Sequence, residues 1–512
     1  MVGQKLPTEG LLELRNISLV YRALPALCNV HWRITPGQQW ACLGPNGAGK
    51  TSIANIISRQ ATHFSGELLR SPELEKGGVA YVCFEQAKAL CERDKKMDDS
   101  EFRADASDPG TAVQSLILNG EEPHEQFQYW VERLNMGHFL HRGLRFISTG
   151  EMRKALLVKA ILSQPGLLIL DSPLDGLDLS SQEEMQTIIN ELLQSHITVL
   201  MLCRQMEDVP TGITHVLVLD NGEVLGCDNR ENIFANTAVQ ARMYPPLPNL
   251  GTLPPAASRA YALPIGKPLL VLRNVAVHYG DLTVLHNVDW TLNLGTHCCI
   301  SGPNGCGKTT LLSLITGDNH KAYGQDITLF GVKRGSGESV WDIKQKFGQL
   351  DTQLQLSFSR GMRVVEVVVS GFFDTIGLYD EWGDTQRNGA QQWLCALGMA
   401  DYLHDNFDAL SFGLQRMVLL ARAMVKSPII LILDEPTLGL DGHHRKLMLR
   451  AIDHIARNSD TQIIFVSHSA GETPDCINQH LSFEPSDDGF ELVCRHLPAD
   501  DTAPINSKTI IR

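Results

Sequence analysis

The chain has 512 residues, of which 43% are apolar and 20% are charged. This composition supplies enough apolar material for packed cores and excludes a disordered or fibrous chain. The 44 basic and 58 acidic residues give a net charge of −14, which disfavours a nucleic-acid coat, so no direct nucleic-acid partner is expected. The sequence has no run of about 18 apolar residues, so no membrane-spanning helix is expected either.

The first predicted elements surround a glycine-rich turn. Residues 40–43 are predicted to form a short strand, and residues 51–57 continue with helical spacing. Between them, residues 44–51 read GPNGAGKT, a full match to GxxxxGK[ST]. The glycines of this motif let backbone N–H groups wrap phosphate oxygens, and the helix that follows offers the positive end of its dipole. Lys50 is expected to reach the β- and γ-phosphates of a nucleotide, and Thr51 to bind Mg²⁺.

Two uninterrupted apolar runs, 167–170 and 197–203, are predicted to be strands of a sheet that is buried on both faces, as in parallel α/β cores. Asp171 ends the first of them, where a carboxylate suits a Mg²⁺-linked role. Residues 148–151 read STGE, the pattern of a capping box at a helix start.

The stretch from 236 to 267 separates two halves of the chain. It contains PPLPNLGTLPPAASRAYALPIG, which is rich in Pro and Gly and poor in charge, so it is predicted to be a semi-rigid extended linker and not a helix. The predicted organisation is a first domain at 10–235, the linker at 236–267, a second domain at 268–500 and a tail at 501–512.

The second half repeats the first. Residues 302–309 read GPNGCGKT, and a second apolar run ends at Asp434, 263 residues after Asp171. The strand-like stretches 11–21 and 269–279 match as well. Two such motifs, each followed by the same apolar run and aspartate, exclude a chance match.

The two copies differ at positions that matter for chemistry. Asp434 is followed by Glu435, a carboxylate able to orient or activate an attacking water, whereas Ser172 occupies that place in the first copy and is a poor base. A third apolar run ends in His468 in the second copy, where the first copy has Arg204, a permanent cation.

With these motifs, both halves resemble the nucleotide-binding domains of the ATP-binding cassette (ABC) family. Residues 146–157, 329–344 and 431–441 are similar to the ModF type of tandem ABC protein, whose name ties it to molybdate transport. The resemblance implies an α/β fold with two nucleotide-binding domains in tandem. Each would have a phosphate-loop parallel-sheet core, a helical subdomain and an N-terminal antiparallel β part, and the cofactors would be ATP and Mg²⁺.

The resemblance also assigns roles to residues. Mg²⁺ would be held at Thr51, Asp171, Thr309 and Asp434, and the catalytic residues would be Glu435 and His468. In the second copy Thr352 falls where the family has a glutamine and Gln353 follows it, so that glutamine is left unassigned. The implied nucleotide-binding residues are Tyr21, Gly44, Pro45, Asn46, Gly47, Gly49, Lys50, Thr51, Ser52, Gln86, Ser148, Gly150, Asp171, Arg204, Tyr279, Gly302, Pro303, Asn304, Gly305, Gly307, Lys308, Thr309, Thr310, Ser411, Gly413 and Asp434.

In the family, two domains pair head to tail, and each ATP lies between the phosphate loop of one domain and the signature segment of the other. The signature segments here are 148–151 and 411–414, and the second carries Phe412 and Leu414 in place of the usual residues. The departures at Ser172, Arg204 and 412–414 then fall on one site. This clustering predicts a binding-only site beside a hydrolytic site that uses Lys308 and Glu435.

The expected function is ATP hydrolysis that drives a transporter, with separate membrane permease subunits as partners and a cytoplasmic location, peripheral on the inner face of the membrane. One alternative is a non-transport ABC ATPase that acts on a ribosome or another macromolecule; the short Pro-rich linker and the acidic charge count against ribosome binding. The other alternative is a regulatory module without turnover, against which Glu435 and His468 argue.

Overall fold

The computed structural model describes residues 10–21, 24–83, 90–91, 93–94, 110–177, 179–256, 268–279, 282–358, 361–378, 381–467, 473–486 and 489–496. Within this part of the chain, none of the helices combines the length and the apolar character that a membrane crossing needs. The chain divides into two compact units between Pro245 and Pro246.

The first unit contains two sheets. β1, β2 and β4 form an antiparallel sheet with β1 in the centre, and the other six strands lie in the order β5-β6-β7-β3-β8-β9. All neighbours in the second sheet are parallel except β8 and β9. The strands are β1 (Leu12–Tyr21), β2 (Leu24–Ile34), β3 (Trp40–Leu43), β4 (Ser65–Arg70), β5 (Val79–Val82), β6 (Leu167–Asp171), β7 (Thr198–Cys203), β8 (His215–Asp220) and β9 (Glu223–Asn229).

The helices of the first unit follow the predicted spacing around the phosphate loop, and they include one that the linker prediction excluded. They are α1 (Lys50–Ile57), α2 (Pro72–Gly77), α3 (Val113–Leu118), α4 (Glu125–Arg133), α5 (Thr149–Leu162), α6 (Leu179–Leu193), α7 (Arg230–Ala235) and α8 (Thr237–Met243).

The helix α8 corrects the prediction that the chain is extended from 236 onwards. Asn236 is its N-cap, because its side-chain oxygen accepts the N–H groups of Ala238 at 3.0 Å and Val239 at 3.2 Å. Val239 and Met243 are buried in the core of the first unit. The capping and this burial outweigh the Pro-rich composition that follows, so the first unit continues past residue 235.

The second unit repeats the same architecture. Its antiparallel sheet has the order β11-β10-β13-β14, and its larger sheet has the order β15-β16-β17-β12-β18-β19, with only β18 and β19 antiparallel. The strands are β10 (Leu270–Tyr279), β11 (Leu282–Leu292), β12 (Cys298–Ser301), β13 (Asp326–Leu329), β14 (Val332–Lys333), β15 (Phe347–Leu350), β16 (Ile430–Asp434), β17 (Gln462–Ser467), β18 (Gln479–Ser486) and β19 (Gly489–His496). The helices are α9 (Lys308–Thr316), α10 (Val340–Lys344), α11 (Thr352–Ser357), α12 (Val364–Val369), α13 (Asp384–Ala396), α14 (Phe412–Met424) and α15 (Gly442–Asn458).

The apolar strands β6 and β16 are continuous because each larger sheet is covered on both faces. In β6, Leu168 and Leu170 face the core beneath the helices, whereas Leu167 and Ile169 face the core beneath the antiparallel sheet. In β16 the residues alternate in the same way between two cores. The sequence prediction of a parallel sheet buried on both faces is confirmed.

The segment 246–256 packs on the second unit. The side chains of Leu247, Leu250 and Leu253 pack against its helical core. The N–H of Gly251 donates to the carbonyl of Ala396 at 2.8 Å, and its own carbonyl oxygen lies 2.8 Å from the ring Nε2 of His454. This part of the predicted linker lies outside the helices and strands and is attached to the second unit by these contacts.

Candidate nucleotide sites

Each phosphate loop joins a buried strand to a helix. Gly49 and Gly307 end the loops with φ of 102° and 106°. A Cβ at Gly49 would lie 2.7 Å from the carbonyl oxygen of Ala26, and one at Gly307 would lie 3.0 Å from that of Val284. The left-handed conformation and the close backbone approach both require glycine at these two places.

The two loop lysines make the same contacts. Lys50 Nζ donates to the carbonyl oxygens of Gly44 at 2.7 Å and Pro45 at 2.8 Å. Lys308 Nζ donates to those of Gly302 at 2.8 Å and Pro303 at 2.7 Å. Burial lowers the pKa of Lys308, and the thiol of Cys306 together with the carboxylates of Glu435 and Asp434 oppose that shift. The carboxylates of Asp434 and Glu435 therefore favour the charged form of the loop lysine.

A cavity of about 200 Å³ lies against the phosphate loop of the first unit. Most of the predicted residues of that unit's phosphate site line it. Ser172, which the sequence placed at a degenerate position, and Ala26, which the sequence did not select, also line it. The lining residues are Ala26, Asn46, Gly47, Gly49, Lys50, Thr51, Ser52, Asp171, Ser172 and Arg204.

Three hydroxyl groups surround the carboxylate of Asp171. Its Oδ2 accepts from Thr51 Oγ1 at 3.2 Å and from Tyr81 Oη at 3.0 Å, and its Oδ1 accepts from Ser172 Oγ at 3.3 Å. Burial and the negative charge of Asp171 raise the pKa of Tyr81, so its phenol is a permanent donor. A threonine hydroxyl next to a carboxylate is an oxygen donor set that Mg²⁺ accepts, so Thr51 and Asp171 fit the expected metal.

Arg204 is held in the cavity by an ion pair between its Nη1 and Asp175 Oδ2. Arg204 was among the predicted site residues, but Asp175 was not. A signal was available, because the residue 263 positions later is Leu438. The carboxylate partner is therefore present in the copy that has the arginine and absent from the copy that has a histidine.

The residue after each strand-ending aspartate has the same unusual backbone. Glu435 has φ of 51° and Ser172 has φ of 47°. The N–H of Glu435 donates to the carbonyl of Val466 at 3.1 Å, and that of Ser172 donates to the carbonyl of Leu202 at 3.2 Å. Left-handed backbone at a residue other than glycine is strained and tends to occur at functional sites. The fold thus presents a carboxylate in one unit at a position where the other presents a hydroxyl.

A buried arginine lies in this region of each unit, and neither was predicted. Arg153 Nη1 donates to the carbonyl oxygens of Ser172 at 3.1 Å and Pro173 at 2.7 Å. Burial lowers the pKa of Arg416, its counterpart, to about 10, against the opposing charges of Asp351, Glu435 and Asp434. Their equal distance from the two signature serines was the signal that could have identified them.

The two signature segments start helices with unequal caps. Ser148 caps α5 with a complete capping box, since Ser148 Oγ accepts from the Glu151 N–H at 3.2 Å and Glu151 Oε2 accepts from the Ser148 N–H at 2.7 Å. This confirms the helix start that the sequence predicts. Ser411 Oγ accepts from the Leu414 N–H at 3.4 Å, and Leu414 has no side chain that can return the bond.

The surroundings of the signature glycines differ as well. A Cβ at Gly150 would meet Leu177 Cδ2 at 3.5 Å and Ser181 Oγ at 3.6 Å, which are ordinary contacts. A Cβ at Gly413 would lie 2.2 Å from the ring of His444. Phe412 lies over Gly439 and its ring centre is 5.6 Å from the guanidinium of Arg416.

The two tyrosines among the predicted nucleotide-binding residues end β1 and β10 and are exposed, Tyr21 by 47% and Tyr279 by 45%. Tyr21 is not among the described residues that line the cavity of the first unit. Tyr279 Oη accepts from Asn319 Nδ2 at 2.9 Å, and Lys321 Nζ lies 5.4 Å from its ring centre. Gln86 and His468, and the side chains of Thr352 and Gln353, lie outside the described part of the structure.

Two phosphate loops, each beside a strand-ending aspartate in an α/β unit with a parallel core, define a tandem nucleotide-binding protein. The sequence pattern of the ABC transporter family matches residues 27–175 and 285–438. The chain belongs to this family, which confirms the predicted family and fold class.

Individual relatives extend the comparison to nearly the whole chain. It is 35% identical to the ABC transporter ATP-binding protein ModF of Escherichia coli (strain K12), over 88% of this chain and 92% of ModF. It is 25% identical to an uncharacterised ABC transporter ATP-binding protein of Schizosaccharomyces pombe, over 92% of this chain and 97% of that protein. Among solved structures, the archaeal ribosome recycling factor in its complex with a ribosomal stalk protein has a TM-score of 0.58 at 17% identity, covering 94% of this chain and 89% of that one. This last likeness concerns the fold alone.

Proposed function

We propose that the chain is an ATPase with two unequal nucleotide sites, one that hydrolyses ATP and one that binds it without hydrolysis. The observation that carries the proposal is the pair formed by Glu435 and Ser172. Both follow a buried strand and its terminal aspartate, and both have the same left-handed backbone. A carboxylate at that place can accept a proton from an attacking water, whereas a serine hydroxyl is a poor base.

In the hydrolytic site, the residues of the second unit divide the work. The N–H groups of the loop 302–307 and Lys308 Nζ bind the phosphate oxygens, and Glu435 orients the water and accepts its proton. Thr309 and Asp434 would hold Mg²⁺, which neutralises charge on the phosphates when bound. His468 is proposed to contact the terminal phosphate, by the family pattern.

In the binding-only site, Lys50 and the first phosphate loop would hold ATP. We propose that the two units pair within the chain, so that each ATP also meets the signature segment of the opposite unit, as the family pattern implies. The segment beginning at Ser411 supports a weaker site, because it lacks the capping box of Ser148 and because Phe412 packs over Gly439 where the family has a small residue.

Steady-state ATP hydrolysis by single variants tests this assignment. Replacing a positioned general base lowers the rate by about 10²–10⁴-fold, so Glu435→Gln is expected to lose nearly all turnover. Ser172→Ala changes the equivalent residue of the other site and is expected to leave turnover nearly unchanged. Equal losses in the two variants, or full activity of Glu435→Gln, would contradict the proposal.

We further propose that hydrolysis drives a transporter whose membrane part is a separate permease, with the protein in the cytoplasm at the inner face of the membrane. Support comes from the 35% identity to ModF, whose name places it among transporter ATP-binding proteins. The link to molybdate rests on that resemblance. The test is affinity capture from detergent-solubilised membranes with Glu435→Gln in ATP, with Lys308→Ala as the matched control. ATP-dependent recovery of an integral membrane permease supports transport; recovery of ribosomes, or of no permease, contradicts it.

A further inference from the structure

The charges around the phosphate loop of the first unit include one more cation than those of the second. In the first unit, Lys50, Arg153 and Arg204 surround Asp171 and Asp175. Around its loop the second unit has the cations Lys308 and Arg416, the carboxylates Asp434, Glu435 and Asp351, and the apolar Leu438 in place of Asp175. The first site therefore carries a net positive charge where the second carries a net negative charge.

Arg204 is the additional cation, and because Asp175 offsets its charge, the difference in net charge comes from the additional carboxylates of the second unit, Glu435 and Asp351. It lines the same cavity as Lys50 and Thr51, and its side chain is 20% exposed. The ion pair with Asp175 fixes the guanidinium, which has further N–H donors in a rigid planar fork. An arginine held in this way is suited to phosphate oxygens.

The carboxylate of Asp171 is stabilised by groups of the protein itself. Thr51, Tyr81 and Ser172 supply hydroxyl donors to its two oxygens. The second unit lacks two of these hydroxyl groups. Tyr81 pairs with Ile169 in the first sheet, and Gln349 pairs with the equivalent Ile432 in the second, so Gln349 takes the place of Tyr81. Glu435 takes the place of Ser172. Three hydroxyl donors stabilise the negative charge of Asp171 without a metal ion.

We propose that the first unit binds its nucleotide without needing a divalent cation, with Arg204 supplying the positive charge that Mg²⁺ supplies elsewhere. A nucleotide without the metal is more negative by the two charges of the ion, and the net positive charge of the first site, with Arg204 fixed in it, favours that form. Asp175 is then a positioning residue for Arg204. The inference rests on the proposed binding-only role of this site, and it adds that the bound nucleotide is the metal-free form.

The test is direct binding of ATP to the full-length chain by titration calorimetry, in EDTA and in Mg²⁺. Lys308→Ala removes the second site, and we expect its dissociation constants in the two buffers to agree within about threefold. Lys50→Ala retains the second site, and we expect binding at least about tenfold weaker in EDTA than in Mg²⁺. A Lys308→Ala protein that requires Mg²⁺ as strongly as the Lys50→Ala protein overturns the inference, as does one that binds ATP in neither buffer.

Variants of the ion pair assign the effect to Arg204. In the Lys308→Ala background, Arg204→His is expected to weaken binding in EDTA by about 10- to 100-fold, the equivalent of one charge-assisted hydrogen bond. Binding in Mg²⁺ should change much less. Asp175→Asn should produce a smaller loss in the same direction. Arg242→His is the matched control, because Arg242 pairs with Asp220 outside the cavity. Thermal melting confirms that each variant is folded.

Equal losses of binding in both buffers for Arg204→His would overturn the metal-free assignment. These titrations involve no turnover, so their outcome is separate from that of Glu435→Gln. If ATP bound without metal but Glu435→Gln remained active, the proposed role of Glu435 would be wrong and this inference would still hold.

Discussion

Alanine at Gly413 is expected to destabilise the second unit strongly. The new Cβ would lie 2.2 Å from Cγ, 2.5 Å from Cδ2 and 2.6 Å from Cβ of His444. The imidazole cannot move away freely, because its Nδ1 lies 2.9 and 3.0 Å from the two carboxylate oxygens of Asp441. Asp441 is itself 2% exposed and caps α15 through the His444 N–H.

The magnitude follows from these contacts. Overpacking costs about 1–3 kcal/mol, and a displaced hydrogen bond to a buried charged group costs about 1.5–3 kcal/mol. The better helix propensity of alanine returns about 0.5–1 kcal/mol. The expected net loss is about 2–4 kcal/mol, after allowing for partial relaxation of the ring. Gly150→Ala is the matched control, because its Cβ would meet neighbours at 3.5 and 3.6 Å.

Hydrogen exchange measured by mass spectrometry suits this test, because it reports the protection of backbone amides separately for each unit. Gly413→Ala should lower the protection of slowly exchanging amides in the second unit, and Gly150→Ala should leave those of the first unit nearly unchanged. The equivalent of His444 in the first unit is Ser181, so adding His444→Ser to Gly413→Ala should restore much of the loss. Equal effects of the two glycine variants, or no rescue by His444→Ser, would refute the reasoning.

Two further predictions concern the second unit. The imidazole of His297 accepts the Ile463 N–H at Nδ1, at 3.1 Å, and burial lowers its pKa from an ordinary 6.5, so unfolding takes up a proton below that value. The contribution of His297 to the free energy of unfolding should therefore be complete above pH 6.5 and decrease as the pH falls below it. In urea unfolding, the free energy of unfolding of His297→Asn should depend less on pH than that of the wild type, and an equal pH dependence would contradict this. His454→Ala removes the contact with the Gly251 carbonyl, which should lower the free energy of unfolding by about 1 kcal/mol. Proteolysis within 246–256 should then be faster. Unchanged cleavage there would show that this contact does not hold the segment.

The parts of the fold that local sequence specifies were predictable. The phosphate loops require glycine at fixed positions, and the strand that ends at Asp171 is apolar on both faces. Both features leave a pattern that can be read directly in the sequence. The helix Thr237–Met243 was predicted wrongly, because proline composition was given more weight than Asn236. That residue was a recognisable cap followed by residues that the core buries.

The parts that depend on contacts between distant residues were not predictable one residue at a time. Nothing near Gly413 in the sequence indicates that His444 fills the space beside it, because His444 comes from the first turn of α15, about 30 residues later. The pairing of Asp175 with Arg204 required a comparison of the two copies, in which Leu438 marks the difference. Tyr81 reaches Asp171 through the parallel pairing of β5 with β6.

The inequality of the two sites is tested most directly by counting phosphate in a single turnover. The chain is saturated with labelled ATP and quenched after one turnover. The wild type should release about one phosphate per chain while the second bound nucleotide remains ATP. Glu435→Gln should bind two ATP molecules and release no phosphate. Release of two phosphates per chain by the wild type, or of one by Glu435→Gln, would contradict the account.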